Sequence, residues 1–154
     1  MGRREDLLRR EAEGWERLAS LVAELTPGQL EHRGLTPDGW SVKDLLWHVA
    51  FWCDDTARAL DDMRAGTWDR VDPSREAGWT DRVNGEQLER SRTMGLAQVR
   101  ASWLEGRRRM LEAFGALEEV TPEADEWFEE AGPSHAAAHL PDLEAWVARL
   151  RSEA

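Results

Sequence analysis

Little in this chain can form a covalent cross-link or bind a polyanion. There is 1 cysteine in 154 residues, so no disulfide can close within the chain. Cys53 falls in an amphipathic pattern where any small apolar residue would serve, which marks it as buried filler rather than a catalytic thiol. Lysine occurs once, at Lys43, and 20 basic residues face 31 acidic ones for a net charge of -11. Affinity for nucleic acid comes largely from neutralising phosphates with clustered Lys and Arg, so nucleic acid is excluded as a partner. The one basic run, Arg107 to Arg109, sits in a mixed helical stretch and reads as a solvated face. No apolar run approaches the roughly 20 residues that span a bilayer, which excludes a membrane helix. The N-terminal "MGRREDLLRREAEGW" is charged where a secretory leader needs an apolar segment, and Asp6 stands where myristoylation needs Ser or Thr. A cytoplasmic location is expected. Tyrosine is absent, and no stretch alternates polar with β-branched apolar residues, so a sheet is not expected.

What remains is helix. The length suits a single domain, residues 1-154, and 41% hydrophobic with 33% charged residues is the composition of a soluble globular protein. Leu8, Ala12, Trp15, Leu18, Ala19, Val22 and Leu25 step by three and four, one stripe on a first helix that "TPG" at Thr26 ends. "SVKD" at Ser41 to Asp44 matches a capping box and opens a second helix. Its stripe runs Val42, Leu45, Leu46, Val49, Trp52, Cys53, Thr56, Leu60 and Met63. A loop punctuated by Gly66, Pro73 and Gly78 follows. A third helical pattern runs from about Asp81 to Leu117, with Thr93 as a point of interruption, and Thr121-Pro122 caps a short extra turn. The last helix carries His135, His139, Leu143, Trp146, Val147 and Leu150 on one side. Four amphipathic helices bury their stripes together most simply as an all-α four-helix bundle with a long connection between helices 2 and 3. The 9 Trp, spread over every segment, read as core or rim residues.

Two of the 4 histidines, His135 and His139, are one helical turn apart, close enough for both imidazoles to reach one metal ion. Both share the side of Leu143 and Trp146, and buried imidazoles need partners. His48, at the flank of the second helix's stripe, is the third candidate, because His32 sits in a connection. Spacing alone leaves two readings open, a His48/His135/His139 metal site or hydrogen-bonded structural histidines. Pro141, two positions after His139, is expected to kink or restart the last helix.

"GWSVKDLLWHVAFW", Gly39 to Trp52, resembles the Gly-Trp-Ser-x-x-(Asp/Glu)-hydrophobic-hydrophobic-x-His signature of the DinB/YfiT-like superfamily. "HAAAHLPDLEAW" resembles its His-x-x-x-His segment, including the Leu-Pro that follows, and Asn84 in "WTDRVN" matches a frequent Asn. The resemblance covers nearly the whole chain. It implies that His48, His135 and His139 bind a divalent metal ion, zinc or nickel first and iron next. It also implies use of a low-molecular-weight thiol such as mycothiol, bacillithiol or glutathione, as in transferase and isomerase relatives that include a maleylpyruvate isomerase. That isomerase has a carboxylate where this chain has His135 and continues into a further domain beyond the point matching Ala154, so its own reaction is not expected here.

Three protein ligands leave a coordination position open, and neutral imidazoles leave the ion its charge to ionise a water or a thiol. The expected function is a metal-dependent thiol transferase or hydrolase whose partners are a small thiol and a small electrophile. The alternative is a non-catalytic or stress-response bundle whose metal is structural. Asp44 and Asp55 share the flank of His48 and read as exposed carboxylates, with orientation of His48 as their other role. Trp79, Asn84 and the preceding loop are candidates to roof the site. A homodimer is compatible with a Trp-rich surface.

Overall fold

The computed structural model describes residues 2-69 and 76-153, and every regular element among them is an α-helix. In order they are α1 (Arg3–Ala23), α2 (Pro27–Glu31), α3 (Val42–Ala65), α4 (Trp79–Arg92), α5 (Leu96–Gly115), α6 (Pro122–Ala131) and α7 (Pro133–Ser152). The expected all-α class is the observed one. The four expected long helices are α1, α3, α5 and α7, of 21, 24, 20 and 20 residues. Pro73, taken as loop punctuation, lies outside the described residues. No helix is long and apolar enough to cross a membrane among the described residues.

Local chemistry explains most boundaries. Ser41 and Asp44 exchange side-chain and backbone hydrogen bonds, Asp44 N–H to Ser41 Oγ at 3.1 Å and Ser41 N–H to Asp44 Oδ2 at 2.9 Å. This is the reciprocal cap read from "SVKD". It also revises the reading of Asp44, which is 3% exposed and committed to the cap rather than solvated. Thr121 accepts from the Ala124 N–H at 3.2 Å above an N1 proline, as expected for α6. Thr26-Pro27 repeats that signal: Thr26 caps α2 by accepting from Gln29 N–H, and Gln29 accepts from Thr26 N–H in return. "TPG" therefore opens a further turn as well as closing α1. The break at Thr93 is real, with Thr93 closing α4 and Gly95 opening α5.

Contacts divide the chain into two compact units, residues 1-45 with 120-154, and residues 46-119. In the first, α1 and α7 pair most extensively. The buried face of α1 is Leu7, Glu11, Leu18, Leu21 and Val22, turned from the stripe that the apolar residues alone suggested. The reason is that two non-apolar positions share it. Gly14 lies so close to α7 that a Cβ there would stand 2.9 Å from the Ala136 Cβ, and Glu11, 4% exposed, lies against Gly132. Paired guanidinium-carboxylate contacts, Arg3 to Asp125 and Arg10 to Glu129, tie α1 to α6.

In the second unit α3 meets α5 where Gly106 abuts Ala50; a Cβ on Gly106 would stand 2.8 Å from the Ala50 carbonyl oxygen. Trp47 Nε1–H donates to Gln87 at 3.0 Å, Trp52 Nε1–H donates to Asn84 at 2.9 Å, and Arg109 pairs with Asp54 at 3.0 Å. Val99, Trp103, Met110 and Phe114 are buried along α5. Arg108, in the basic run, pairs with Glu105 and Glu112 on the solvent side, as read.

Two expectations are corrected. Of the two outcomes expected at Pro141, a restart of the last helix is overturned, because α7 continues through the proline. Ala137, whose carbonyl loses its donor to the proline, is exposed, so water can replace the missing bond. Nor is the surface rich in Trp: Trp103 and Trp146 are buried, the other seven are half-buried, and the exposed large apolar side chain among the described residues is Leu104.

The two glycine environments make opposite predictions. Gly106→Ala should destabilise by about 1–3 kcal/mol, because the overpacked methyl meets backbone that cannot step aside. Gly85→Ala, in α4 with open space around it, should stabilise by ~0.5–1 kcal/mol through helix propensity. Urea denaturation of both variants measures this; equal effects of the two would contradict the close approach at Ala50.

Candidate metal centre

The α6–α7 junction determines where the histidine pair points. α6 ends at Ala131 and Pro133 is already the first residue of α7, so the chain turns on Gly132 alone, at φ -99° and ψ -98°. A Cβ at Gly132 would stand 3.0 Å from the Phe128 carbonyl oxygen and 3.1 Å from Glu11 Cγ. With Gly132 held by α6 and α1, and Ala136 seated against Gly14, the first turn of α7 has its rotation fixed by packing. His135 and His139 share an adjoining face, their ring centroids 4.6 Å apart at an interplanar angle of 60°.

His48 lies on α3, one turn beyond the Ser41–Asp44 cap, and is 8% exposed. One ligand nitrogen from each of His48, His135 and His139 can be chosen so that all three lie within 4.8 Å of one another. The three candidates from the sequence are thus brought together, and His32 is not among them. Metal–imidazole bonds of ~2.0–2.1 Å place nitrogens about 3.4 Å apart around a tetrahedral ion, so small side-chain rotations would complete such a set. His32 instead stacks on Trp146, centroids 5.7 Å apart and planes within 6°, and fastens the connection before α3 to α7.

The electrostatics suit metal donors, which must be neutral imidazoles. Burial, helped by the charge of His139, pushes the His135 pKa down to about 3, against a hydrogen bond to the Ala131 backbone that works the other way. Burial also lowers the pKa of His139, and the Asp142 carboxylate opposes it. Both rings therefore carry a lone pair at neutral pH.

The comparison with protein families decides what kind of chain this is. A model of the mycothiol maleylpyruvate isomerase N-terminal domain matches residues 12–151, a span that includes all three histidines. The chain belongs to this family. The mycothiol maleylpyruvate isomerase N-terminal domain family is part of the DinB/YfiT-like metal-binding superfamily, so the resemblance read from Gly39 to Trp52 and from His135 to Trp146 is upheld. No curated protein and no solved structure compared with the chain matches it.

Trp52 lies one turn further along α3 than His48 and joins α3 to α4. Asn84, the residue matching the superfamily's Asn, accepts the Trp52 indole N–H, and Trp79 meets Trp52 edge to face with centroids 5.8 Å apart. The two roof candidates are thus linked through a tryptophan that sequence reasoning had placed only in a stripe. Glu11 and Gly132 were also missed. Neither carries a spacing signal: a charged residue on a buried face and a glycine between two helices become visible only when the helices are packed.

A histidine whose folded pKa lies below its unfolded value favours the native state only while neutral. That contribution is intact above the unfolded pKa of about 6.5 and is lost as pH falls toward 3. Asp6 and Asp125, held below the usual carboxylate range by hydrogen bonds from Arg9 and Arg3 respectively, begin to lose theirs only near pH 4. Metal-free protein should therefore show a falling melting temperature between about pH 6.5 and 5, and His135→Gln should flatten that slope. Differential scanning fluorimetry in chelator across this range is the check; an unchanged slope in the variant would assign it elsewhere.

Proposed function

We propose that His48, His135 and His139 hold a divalent metal ion, and that the protein is a metal-dependent enzyme acting on a low-molecular-weight thiol or water and a small electrophile. The observation that supports this most is the convergence of three histidine donors, two of them kept neutral by burial. Membership of a metal-binding superfamily supports it further.

The donor set fits the group. Three imidazoles are borderline ligands that suit zinc, nickel or iron, and they bring no negative charge to offset that of the ion. When bound, the ion would supply a Lewis acid able to ionise a coordinated thiol or water near neutral pH. The chain's own contribution is to offer His135 and His139 already deprotonated, on a helical turn whose rotation is fixed by packing. The Gly132 turn and the Gly14–Ala136 contact hold α7 in place, so forming the site costs little side-chain ordering. The Ala131 backbone engages His135 from the preceding turn, the kind of outer contact that orients a ligating imidazole. The thiol is named in the family's description, mycothiol maleylpyruvate isomerase, and comes to this chain as part of the proposal.

Protein purified without a histidine tag should carry near-stoichiometric divalent metal by elemental analysis, and His48→Ala/His139→Ala should carry none. Equal, sub-stoichiometric metal in both would overturn the assignment. The catalytic half is read from turnover of mycothiol, bacillithiol or glutathione with a panel of small electrophiles, which chelation should abolish. Metal retained with a chelator-sensitive melting temperature but no turnover would leave the ion a structural staple.

A further inference from the structure

Beside His139 is a cavity of about 190 Å³, and its lining divides by chemistry. Leu35, Trp40 and Leu45 are its apolar lining, while the polar lining is Thr36, Asp38, His139 and Asp142, with no Lys or Arg. Pockets that take small organic molecules have this composition, mostly apolar with a few polar groups that fix orientation.

The cavity is built on fixed backbone. Thr36 to Gly39 form a turn with Pro37 at its second position, in which the Gly39 N–H donates to the Thr36 carbonyl at 3.0 Å and Gly39 takes φ +81°. The N–H groups of Gly34 and Leu35 both donate to the Trp40 carbonyl, closing the base of the loop. Gly34 itself lies against the Trp146 indole, where a Cβ would stand 2.9 Å from the ring, and the Arg149 guanidinium lies over the Trp146 ring, 5.0 Å from its centre. Asp38 sits at the third position of the turn, and Asp142 stands one turn after His139 on α7. The two carboxylates thus come from separate, independently anchored segments.

We propose that this cavity receives the organic co-substrate of the histidine centre, and that it selects a small molecule with an apolar body and a cationic amine over one bearing a carboxylate. The argument rests on the metal-centre reading above for the word co-substrate, but the selectivity follows from the lining alone. Its volume limits the ligand to roughly the size of a substituted benzene. A ligand carboxylate would approach two exposed acidic side chains of the lining, Asp38 and Asp142, at short range, where like charges repel even in contact with water. An ammonium group meets two acceptors there.

The test compares 2-phenylethylamine with 3-phenylpropanoate, of similar body and opposite charge, by titration calorimetry on the full chain. The Trp40 indole N–H resonance serves as the local reporter. The amine should bind roughly tenfold or more tightly than the acid and shift the Trp40 signal, and Asp38→Asn/Asp142→Asn should remove that preference without lowering the melting temperature. Asp38→Lys/Asp142→Lys should reverse it. Equal binding of the two probes, binding of neither, or a preference that survives the double Asn variant overturns the inference. Metal content measured on the same preparations separates the two readings. Metal present without charge preference sinks the cavity assignment alone, whereas charge preference in a chain that binds no metal sinks the centre and leaves the cavity a ligand site.

Discussion

Desolvation of the histidine pair on α7 is the constraint on which the rest of the candidate centre depends. Water would stabilise a protonated imidazole, so a chain that places two rings one turn apart away from water must keep both neutral. The His135 pKa of about 3 is the measure of that exclusion. It turns residues that would be half-protonated at the surface near their ordinary pKa into lone-pair donors across the physiological range. Buried neutral imidazoles need partners in place of water, and a divalent cation is one that could accept several such lone pairs at once.

The exclusion is achieved by backbone proximity more than by large side chains. Gly14 lets α1 lie on Ala136, Gly132 lets the chain turn between Phe128 and Glu11, and Gly34 lets the connection before α3 pass against Trp146. A Cβ at Gly14 or Gly34 would stand 2.9 Å from its neighbour, too close to fit without a shift, and one at Gly132 would be tight at 3.0 Å, so these contacts fix rotation and register. Trp146 serves two partners in this way, stacking His32 and flanking Gly34. The loop it holds is the one that forms the rim of the cavity beside His139. Positioning of the His135–His139 pair and shaping of its neighbouring cavity therefore draw on one set of packing contacts in the unit formed by residues 1–45 and 120–154.

Much of this was legible in sequence where the cause is local. Helix periodicity placed α3, α5 and α7, and the caps at Ser41 and Thr121 were visible because their hydrogen bonds join residues three apart. The same logic would have found α2, since Thr26-Pro27 repeats the chemistry of Thr121-Pro122; the signal was there and was read as an ending. The stripe on α1 was misjudged because a hydrophobicity pattern counts neither a buried Glu11 nor a Gly14 whose value lies in having no side chain. The exposure assumed for Asp44 failed for a related reason: a carboxylate satisfied by a cap no longer needs water.

The sequence by itself determined the helical class, the absence of a spanning helix, the family through its two histidine-bearing motifs, and the identity of the three candidate ligands. Periodicity, capping and spacing act within a few residues, so no tertiary information is needed to see them. Only the tertiary structure decided that nitrogens of His48, His135 and His139 lie within 4.8 Å of one another, that burial holds His135 and His139 neutral, and that α7 runs unbroken through Pro141. Distance and desolvation between residues far apart in the chain are properties of packing, and no local pattern encodes them.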